Sequence, residues 1–301
     1  RAEEINSTSP VSESPSGLFY FAIGIGSKKK YTISRDFQYS RGAPANADIR
    51  PMRAVLLQNC QSQERNNAMN LPTRIPCGSS WTNGHVQGIA IDEQRGHIYY
   101  CFTTILVKTD LRGTVLGTVG HLAGHMGCIT IDPARRRLYG SLELKHDIIG
   151  QGIIKNNGGW NPSAEDSFYL AAFDIDRIDR VGMDAEADGV MKAVYLRDVV
   201  KDYTEPDERC GLAHRYGCSG IDGIGLGPVF GAGADSRQKI MIAYGIYSQP
   251  QMRGNDYQVI LQFDPDTVDR YGQPLCQEAP HHAGPESCEA RYFLYTGNTN
   301  F

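Results

Sequence analysis

One stretch of the sequence is repeated. GHVQGIAID at residues 84–92 returns forty residues later as GHMGCITID at residues 124–132. Beyond these stretches, the same shift of forty aligns Ile98 with Leu138 and Tyr99 with Tyr139. Self-similarity at a fixed spacing constrains a fold more strongly than composition does, because each copy must build the same structural unit.

Each copy predicts a small antiparallel sheet. The first contains four short runs rich in β-branched and aromatic residues, HVQGIAID, HIYYCFT, ILVKTD and VLGTV, which are separated by turn-forming residues. The second copy carries an insertion at residues 145–166, and a third copy begins with GIDGIGLG at residues 220–227. An aspartate closes the third predicted strand of each unit: Asp110, Asp174 and Asp264.

Sheets of four strands repeated along a chain favour an all-β fold, namely a β-propeller of four-stranded antiparallel blades. The near absence of a helical hydrophobic period favours the same fold. We expect an extended N-terminal segment, residues 1–16, followed by a single propeller domain, residues 17–301. The predicted blade-like units span residues 17–60, 84–120, 124–198 and 219–297. Because the first unit lacks a recognisable inner strand, the ring is either a minimal one of four blades or incomplete within this chain. Another chain or segment would then complete it.

Charge and hydropathy exclude two classes of partner. The formal net charge of −4 supplies no basic field to attract nucleic acid. No apolar run approaches the length that spans a membrane.

The eight cysteines bear on the compartment. Three pairs lie close together in loop-like sequence and predict disulfides: Cys60 with Cys77, Cys210 with Cys218, and Cys276 with Cys288. Disulfides form in oxidising compartments, so the protein is expected to be secreted or periplasmic. Cys101 and Cys128 lie in strand-like runs and are either buried free thiols or a pair across neighbouring strands.

The candidate site lies on the first strand of each unit, which is the innermost strand of a propeller blade. The alignment brings His85, His125 and Gly220 to one level, and Gln87, Gly127 and Asp222 two residues further on. Residues i and i+2 of a strand face the same side, so these polar groups are expected to converge near the axis. Alternatively, each histidine only hydrogen-bonds the backbone of a neighbouring blade. The neighbouring Gly84 and Gly124 are expected to be required by a positive φ at the entrance to the strand rather than by a ligand.

The insertion adds two candidates, His146 and Trp160, among many glycines and asparagines. An exposed tryptophan can stack on the apolar face of a sugar, although Trp160 could equally pin its own loop. His121 and His125 have the spacing of helical zinc ligands, but Gly124 and the strand that follows remove the helix. No metal site is therefore predicted, and the sequence indicates no particular cofactor.

The inner-strand histidine in Asn83-Gly-His-Val-Gln-Gly88 resembles that of exported β-propellers and, more faintly, of propeller polysaccharide lyases and rhamnosidases that act on uronate-containing glycans. The resemblance covers residues 84–297. It implies a glycan partner, with His85 as the acid or base that moves the proton α to a uronate carboxylate and His125 as its partner. Those enzymes carry a second histidine further along, where this chain has Ile105 and its neighbours. The alternative is a non-catalytic structural or protein-interaction module of an extracellular assembly.

Overall fold

The computed structural model describes residues 85–297, apart from residues 123, 157–158, 160, 162–163, 207–210, 212–216, 234–235 and 248–255. All of the described residues belong to one compact unit, residues 71–301. The predicted units at residues 1–16 and 17–60 lie outside the described residues, as does Trp160.

Strands dominate the described part of the chain. In chain order they are β1 (Gly88–Asp92), β2 (His97–Cys101), β3 (Leu106–Asp110), β4 (Val115–Gly120), β5 (His125–Asp132), β6 (Arg137–Leu144), β7 (Ser167–Asp174), β8 (Met183–Asp184), β9 (Met191–Tyr195), β10 (Gly223–Pro228), β11 (Gln238–Ile246), β12 (Asp256–Phe263) and β13 (Ala290–Gly297). The helices are α1 (Ile148–Asn156), α2 (Arg197–Thr204) and α3 (Asp266–Tyr271). None of the helices in the described ranges combines the length and apolar composition needed to cross a membrane.

The strands form three sheets. The first sheet has the order β1-β2-β3-β4-β8, the second β5-β6-β7-β9 and the third β10-β11-β12-β13. Neighbouring strands are antiparallel except for β8, which pairs in parallel with β4. For the described residues, the expectation of a mostly β fold built from four-stranded antiparallel sheets is thus confirmed. The short strand β8 departs from this expectation. It lies between β7 and β9 in the sequence, but it pairs with β4 and so covers the outer edge of the first sheet.

The second sheet is buried on both faces. Along β7, Tyr169, Ala171 and Phe173 belong to a core cluster shared with the first sheet. The alternate residues Phe168 and Leu170 belong to a second cluster, shared with the third sheet. Successive side chains of a strand point to opposite faces, and both faces of β7 are buried. The sequence of β7 is therefore a continuous apolar run. The first strands of the sheets are also neighbours, with β5 lying beside both β1 and β10.

The tight turns of the first two sheets are built alike. In the turn after β1, Asp92 accepts a hydrogen bond from the backbone N–H of Arg95. In the turn after β5, Asp132 accepts one from the backbone N–H of Arg135. The residue after each arginine has positive φ, 66° at Gly96 and 56° at Arg136. The side-chain carboxylate therefore fixes the turn, and Arg136 adopts a conformation that otherwise favours glycine.

The turns after the third strand of each sheet also share one pattern. The aspartate at or directly after the strand accepts a hydrogen bond from the backbone N–H two residues on. The pairs are Asp110 with Arg112, Asp174 with Asp176, and Asp264 with Asp266. A short carboxylate that bonds its own backbone in this way stabilises the reversal of the chain.

Ion pairs between these turns join the sheets. Arg95 of the first sheet pairs with Asp176, which follows the third strand of the second sheet. In the same way, Arg135 of the second sheet lies 3.0 Å from Asp266, which follows the third strand of the third sheet. Arg136 lies 2.8 Å from Asp92, whose side chain is fully buried. The turns at this end of the sheets thus form two networks of charges, one between the first and second sheets and one between the second and third.

The cysteines require a correction. Cys276 and Cys288 are both free thiols, so the predicted disulfide between them is wrong. The physical reason is packing: Leu275, next to Cys276, lies in the core between the first and second sheets, whereas Cys288 packs against the core of the third. Cys218 is a free, buried thiol as well, so the predicted disulfide between Cys210 and Cys218 is also wrong. Cys60, Cys77 and Cys210 lie outside the described residues.

Cys101 and Cys128 are free thiols, as the first of the two alternatives for them supposed. Burial raises the pKa of each thiol to about 12. A thiol whose pKa lies so high carries almost no thiolate at neutral pH, so both cysteines are expected to be unreactive in the folded protein.

We predict that Arg136→Met lowers the free energy of unfolding by about 3–5 kcal/mol, because it leaves the buried Asp92 carboxylate without its cation. The matched control is Arg95→Met, which removes a half-exposed arginine from the same network and should cost about 0–1 kcal/mol. Urea unfolding followed by circular dichroism measures both. Equal losses of unfolding free energy in the two variants would show that burial of Asp92 does not increase the cost of removing its cation.

Candidate functional site

A buried carboxylate, Glu143, organises the end of β6 opposite the charged turns. Its side chain is 3% exposed, and its Oε2 lies 3.0 Å from Lys145 Nζ and 3.8 Å from His125 Nδ1. Its Oε1 accepts a hydrogen bond of 2.5 Å from the backbone N–H of Ile221, just before β10. We call Glu143 and these three partners the Glu143 cluster. A buried carboxylate is stable only with such compensation, so the cluster also ties the second sheet to the third.

Local strand register explains how the cluster forms. His125 and Glu143 are direct cross-strand partners in the β5–β6 pair. A bulge then shifts the register between Met126 and Ile129. Ser141, opposite the bulge, accepts from the backbone N–H groups of Gly127 and Cys128 at 3.3 and 3.2 Å. Bulges of this kind re-aim side chains next to sites, and here the bulge lies directly after His125.

Two glycines make room for Glu143. A Cβ on Gly220 would lie 3.1 Å from Glu143 Oε1, and Gly220 has a φ of 81°. A Cβ on Gly124 would lie 2.4 Å from the carbonyl oxygen of Glu143. Gly124 does not have positive φ, so that expectation is wrong and the glycine is required by close backbone approach instead. Gly84 lies outside the described residues.

Asp222 lies beside the cluster and is exposed. Its Oδ2 accepts a hydrogen bond of 2.5 Å from Ser219 and one of 3.3 Å from the backbone N–H of Gly245. Loss of hydration raises the pKa of Asp222, and the negative charge of Glu143 adds to the rise against the opposing effect of Ser219. An accessible carboxylate whose charge is disfavoured by its surroundings is characteristic of binding and catalytic sites.

The two predicted histidines are placed differently. His125 opens β5, whereas His85 lies three residues before β1 and is exposed. The cause is the length of the partner strand. β6 continues to Leu144 and pairs with His125, but β2 ends at Cys101, where the backbone N–H of Phe102 bonds the carbonyl of Ile105 and turns the chain. Gln87 contributes its backbone N–H to Cys101, at 2.8 Å.

The predicted residues thus divide into two groups. His125 belongs to the Glu143 cluster and Asp222 adjoins it, while no hydrogen bond or ion pair joins His85 or Gln87 to the cluster within the described residues. The sequence reasoning missed Glu143 and Lys145, because glutamate alternating with leucine in SLELK reads as an ordinary half-exposed strand.

The insertion starts at the cluster. His146 contacts two other residues of the insertion: its Nδ1 lies 3.1 Å from Asp166 Oδ1 and its Nε2 lies 3.3 Å from Asn161 Oδ1. Asp147 lies 3.6 Å from Lys145 Nζ and accepts the backbone N–H of Gly150 in the first turn of α1. His146 therefore positions the insertion. Throughout the described ranges, no group of three or more His, Cys, Asp or Glu side chains could hold a metal ion.

We predict that Asp222→Asn raises the midpoint of thermal unfolding at pH 7. The folded-state pKa of Asp222 is raised, so its ionised form is destabilising relative to the unfolded chain, and the amide removes that effect. The gain should disappear as the pH falls below the ordinary pKa of aspartate, about 3.9, where the wild-type carboxyl is protonated in both states.

The control, Asp110→Asn, has the opposite sign. The backbone N–H of Thr114 lowers the pKa of Asp110, so its ionised form stabilises the fold above the ordinary pKa and the stability is lost at lower pH. Asp110→Asn should therefore lower the midpoint at pH 7. If Asp222→Asn lowered it as well, Asp222 would be an ordinary stabilising carboxylate.

No family model matches the chain, and a search of curated proteins gave no match either. The geometry of the Glu143 cluster and Asp222 is therefore the basis on which a function can be argued.

Proposed function

We propose that the chain forms blades of a β-propeller and that the surface at Asp222 and His125 binds a hydroxyl-rich ligand, for which we favour a glycan. Three observations support the propeller. The first strands β1, β5 and β10 lie next to one another. The second sheet is covered on both faces by its neighbours. The turns of successive sheets repeat the same hydrogen bonds and ion pairs.

Asp222 carries the binding proposal. Both protein donors to its carboxylate, Ser219 and Gly245, bond Oδ2. Oδ1 accepts no hydrogen bond from the described residues, and Asp222 is exposed as a residue although its carboxylate has lost part of its hydration. A carboxylate oxygen left open in this way accepts hydroxyl protons, and paired sugar hydroxyls are ligands of that chemistry.

His125 supplies the second polar group. Its ring is 22% exposed, and Nδ1 is buried without a hydrogen-bond partner, its nearest carboxylate being Glu143 at 3.8 Å. An imidazole accepts a proton in its neutral form and donates one in its protonated form, which is the chemistry of acid–base work as well as of binding.

The charges favour a neutral glycan over a polyuronate. Lys145 is the cation of the cluster, and it is 8% exposed and already paired with Glu143 and Asp147. A uronate carboxylate would meet Asp222 without a free cation of the described residues to offset it. Lyase activity, with His85 and His125 as acid and base, stays a prediction, as does export of the protein.

The second candidate function is a non-catalytic structural or interaction module. One observation favours it. Glu143 contacts Lys145 and His125 of the second sheet and accepts a hydrogen bond from Ile221, just before the third sheet. The cluster therefore links the two sheets and is already required for the fold. In that case, the polar groups near the inner strands would be structural and would bind no ligand.

We predict that Asp222→Asn weakens binding of neutral oligosaccharides by about tenfold or more, because a hydrogen bond to a charged group contributes about 1.5–3 kcal/mol. Isothermal titration calorimetry on panels of neutral and uronate oligosaccharides measures the affinities. The matched control is Asp179→Asn, which alters a largely exposed aspartate paired with Arg180 and should leave binding unchanged.

The same panel separates the candidates. Release of an unsaturated product from polyuronates, seen by its ultraviolet absorbance and lost in both His85→Ala and His125→Ala, would replace the binding proposal by the lyase. If the folded protein binds no member of the panel, the structural module is the better account.

A further inference from the structure

A second group of polar side chains lies between the first and second sheets, remote from Asp222. Tyr99 of β2 is directly opposite Lys108 of β3, and His97 lies two residues from Tyr99 on the same face. Tyr99 belongs to the core cluster that the two sheets share. We call His97, Tyr99 and Lys108 the Tyr99 group.

Lys108 is anchored inside this layer. Its side chain is buried, and Nζ donates to the carbonyl oxygens of Ile175 and Ile178 at 3.0 and 2.8 Å. An ammonium group has three N–H bonds, so one remains without an acceptor among the residues that the structure describes.

Two further polar atoms of the group are buried without a hydrogen-bond partner: Tyr99 Oη and His97 Nδ1. Tyr99 is fully buried. Buried polar atoms are nearly always paired, so two such atoms beside a lysine with a spare donor point to a bound species.

Two nearby carboxylates bond other groups. Asp92 accepts the backbone N–H of Arg95 on Oδ1 and pairs with Arg136 through Oδ2. Asp176 pairs with both arginines. Neither carboxylate bonds the Tyr99 group, so its two unpartnered atoms and the spare N–H of its lysine have no acceptor among the described residues.

We propose that the Tyr99 group binds a small monovalent anion of the size of chloride. Tyr99 Oη and Lys108 Nζ are its two donors, with His97 Nδ1 as a third. An anion can accept from all three donors, whereas a water molecule would also need acceptors for its own protons.

The titration behaviour of the group agrees with this site. Burial raises the pKa of Tyr99, so the phenol keeps the proton that it would donate. Burial, followed by the charge of Lys108, lowers the pKa of His97, and a neutral imidazole still has one N–H to offer. Burial also lowers the pKa of Lys108, a shift that a bound anion would oppose.

The second sheet provides a matched comparison at Tyr139, forty residues after Tyr99. Tyr139 is 1% exposed, but its cross-strand neighbours are Thr130 and Ala172 rather than a lysine. Its hydroxyl is not among the unpartnered buried atoms. The two tyrosines thus share burial and strand position and differ in the neighbouring cation.

Thermal unfolding in sodium chloride, compared with sodium gluconate at equal ionic strength, tests the proposal. The midpoint should rise with chloride, by about 3–5 °C for each tenfold increase once the site is filled. Tyr99→Phe should lose this chloride dependence, while Tyr139→Phe should retain it. The same chloride dependence in wild type and Tyr99→Phe would overturn the proposal.

A crystal of the wild-type protein soaked in bromide gives a readout that needs no variant. An anomalous bromide peak within hydrogen-bond distance of Tyr99 Oη and Lys108 Nζ is expected. A water molecule at that position, or no bound species, would contradict an anion site even if Tyr99→Phe failed to fold.

Discussion

Burial of the second sheet on both faces is the constraint on which the rest of the structure depends. A strand covered on both sides has no solvent for its charged groups, so each must find partners within the protein. β6 illustrates the consequence at both ends. Arg136, just before the strand, meets Asp92 of the first sheet, and Glu143, near its end, meets Ile221 at the entrance to the third. The charged contacts between sheets are therefore located where the apolar strand stops.

These two ends are chemically distinct. Arg136 and Glu143 are seven residues apart on an extended strand, which is roughly 23 Å at 3.3 Å per residue. One end carries arginine–aspartate pairs in tight turns, and the other carries carboxylates around a histidine and a lysine. The buried apolar stretch between them keeps the two groups of charges apart, so a ligand at Asp222 and an ion at Tyr99 would act without direct electrostatic contact.

Much of the fold could be predicted from local sequence, and most of the site could not. Alternating apolar residues bounded by turn residues predicted the long strands, because burial of one face repeats every two residues. The helix α2 could have been found from Val199 and Tyr203, which are four apart and buried, but β8 has only two residues and carries no periodic signal. Glu143 could not be identified because its partner Ile221 lies 78 residues away in the chain.

The strand β8 has a consequence for the order in which the protein can be made. The outer edge of β4 is paired by Met183 and Asp184, which are synthesised more than sixty residues later. A nascent chain that has released the first four strands therefore carries an unpaired edge until most of the second sheet has left the ribosome. Unpaired edges recruit other strands, so this interval is one in which the chain is exposed to wrong pairing.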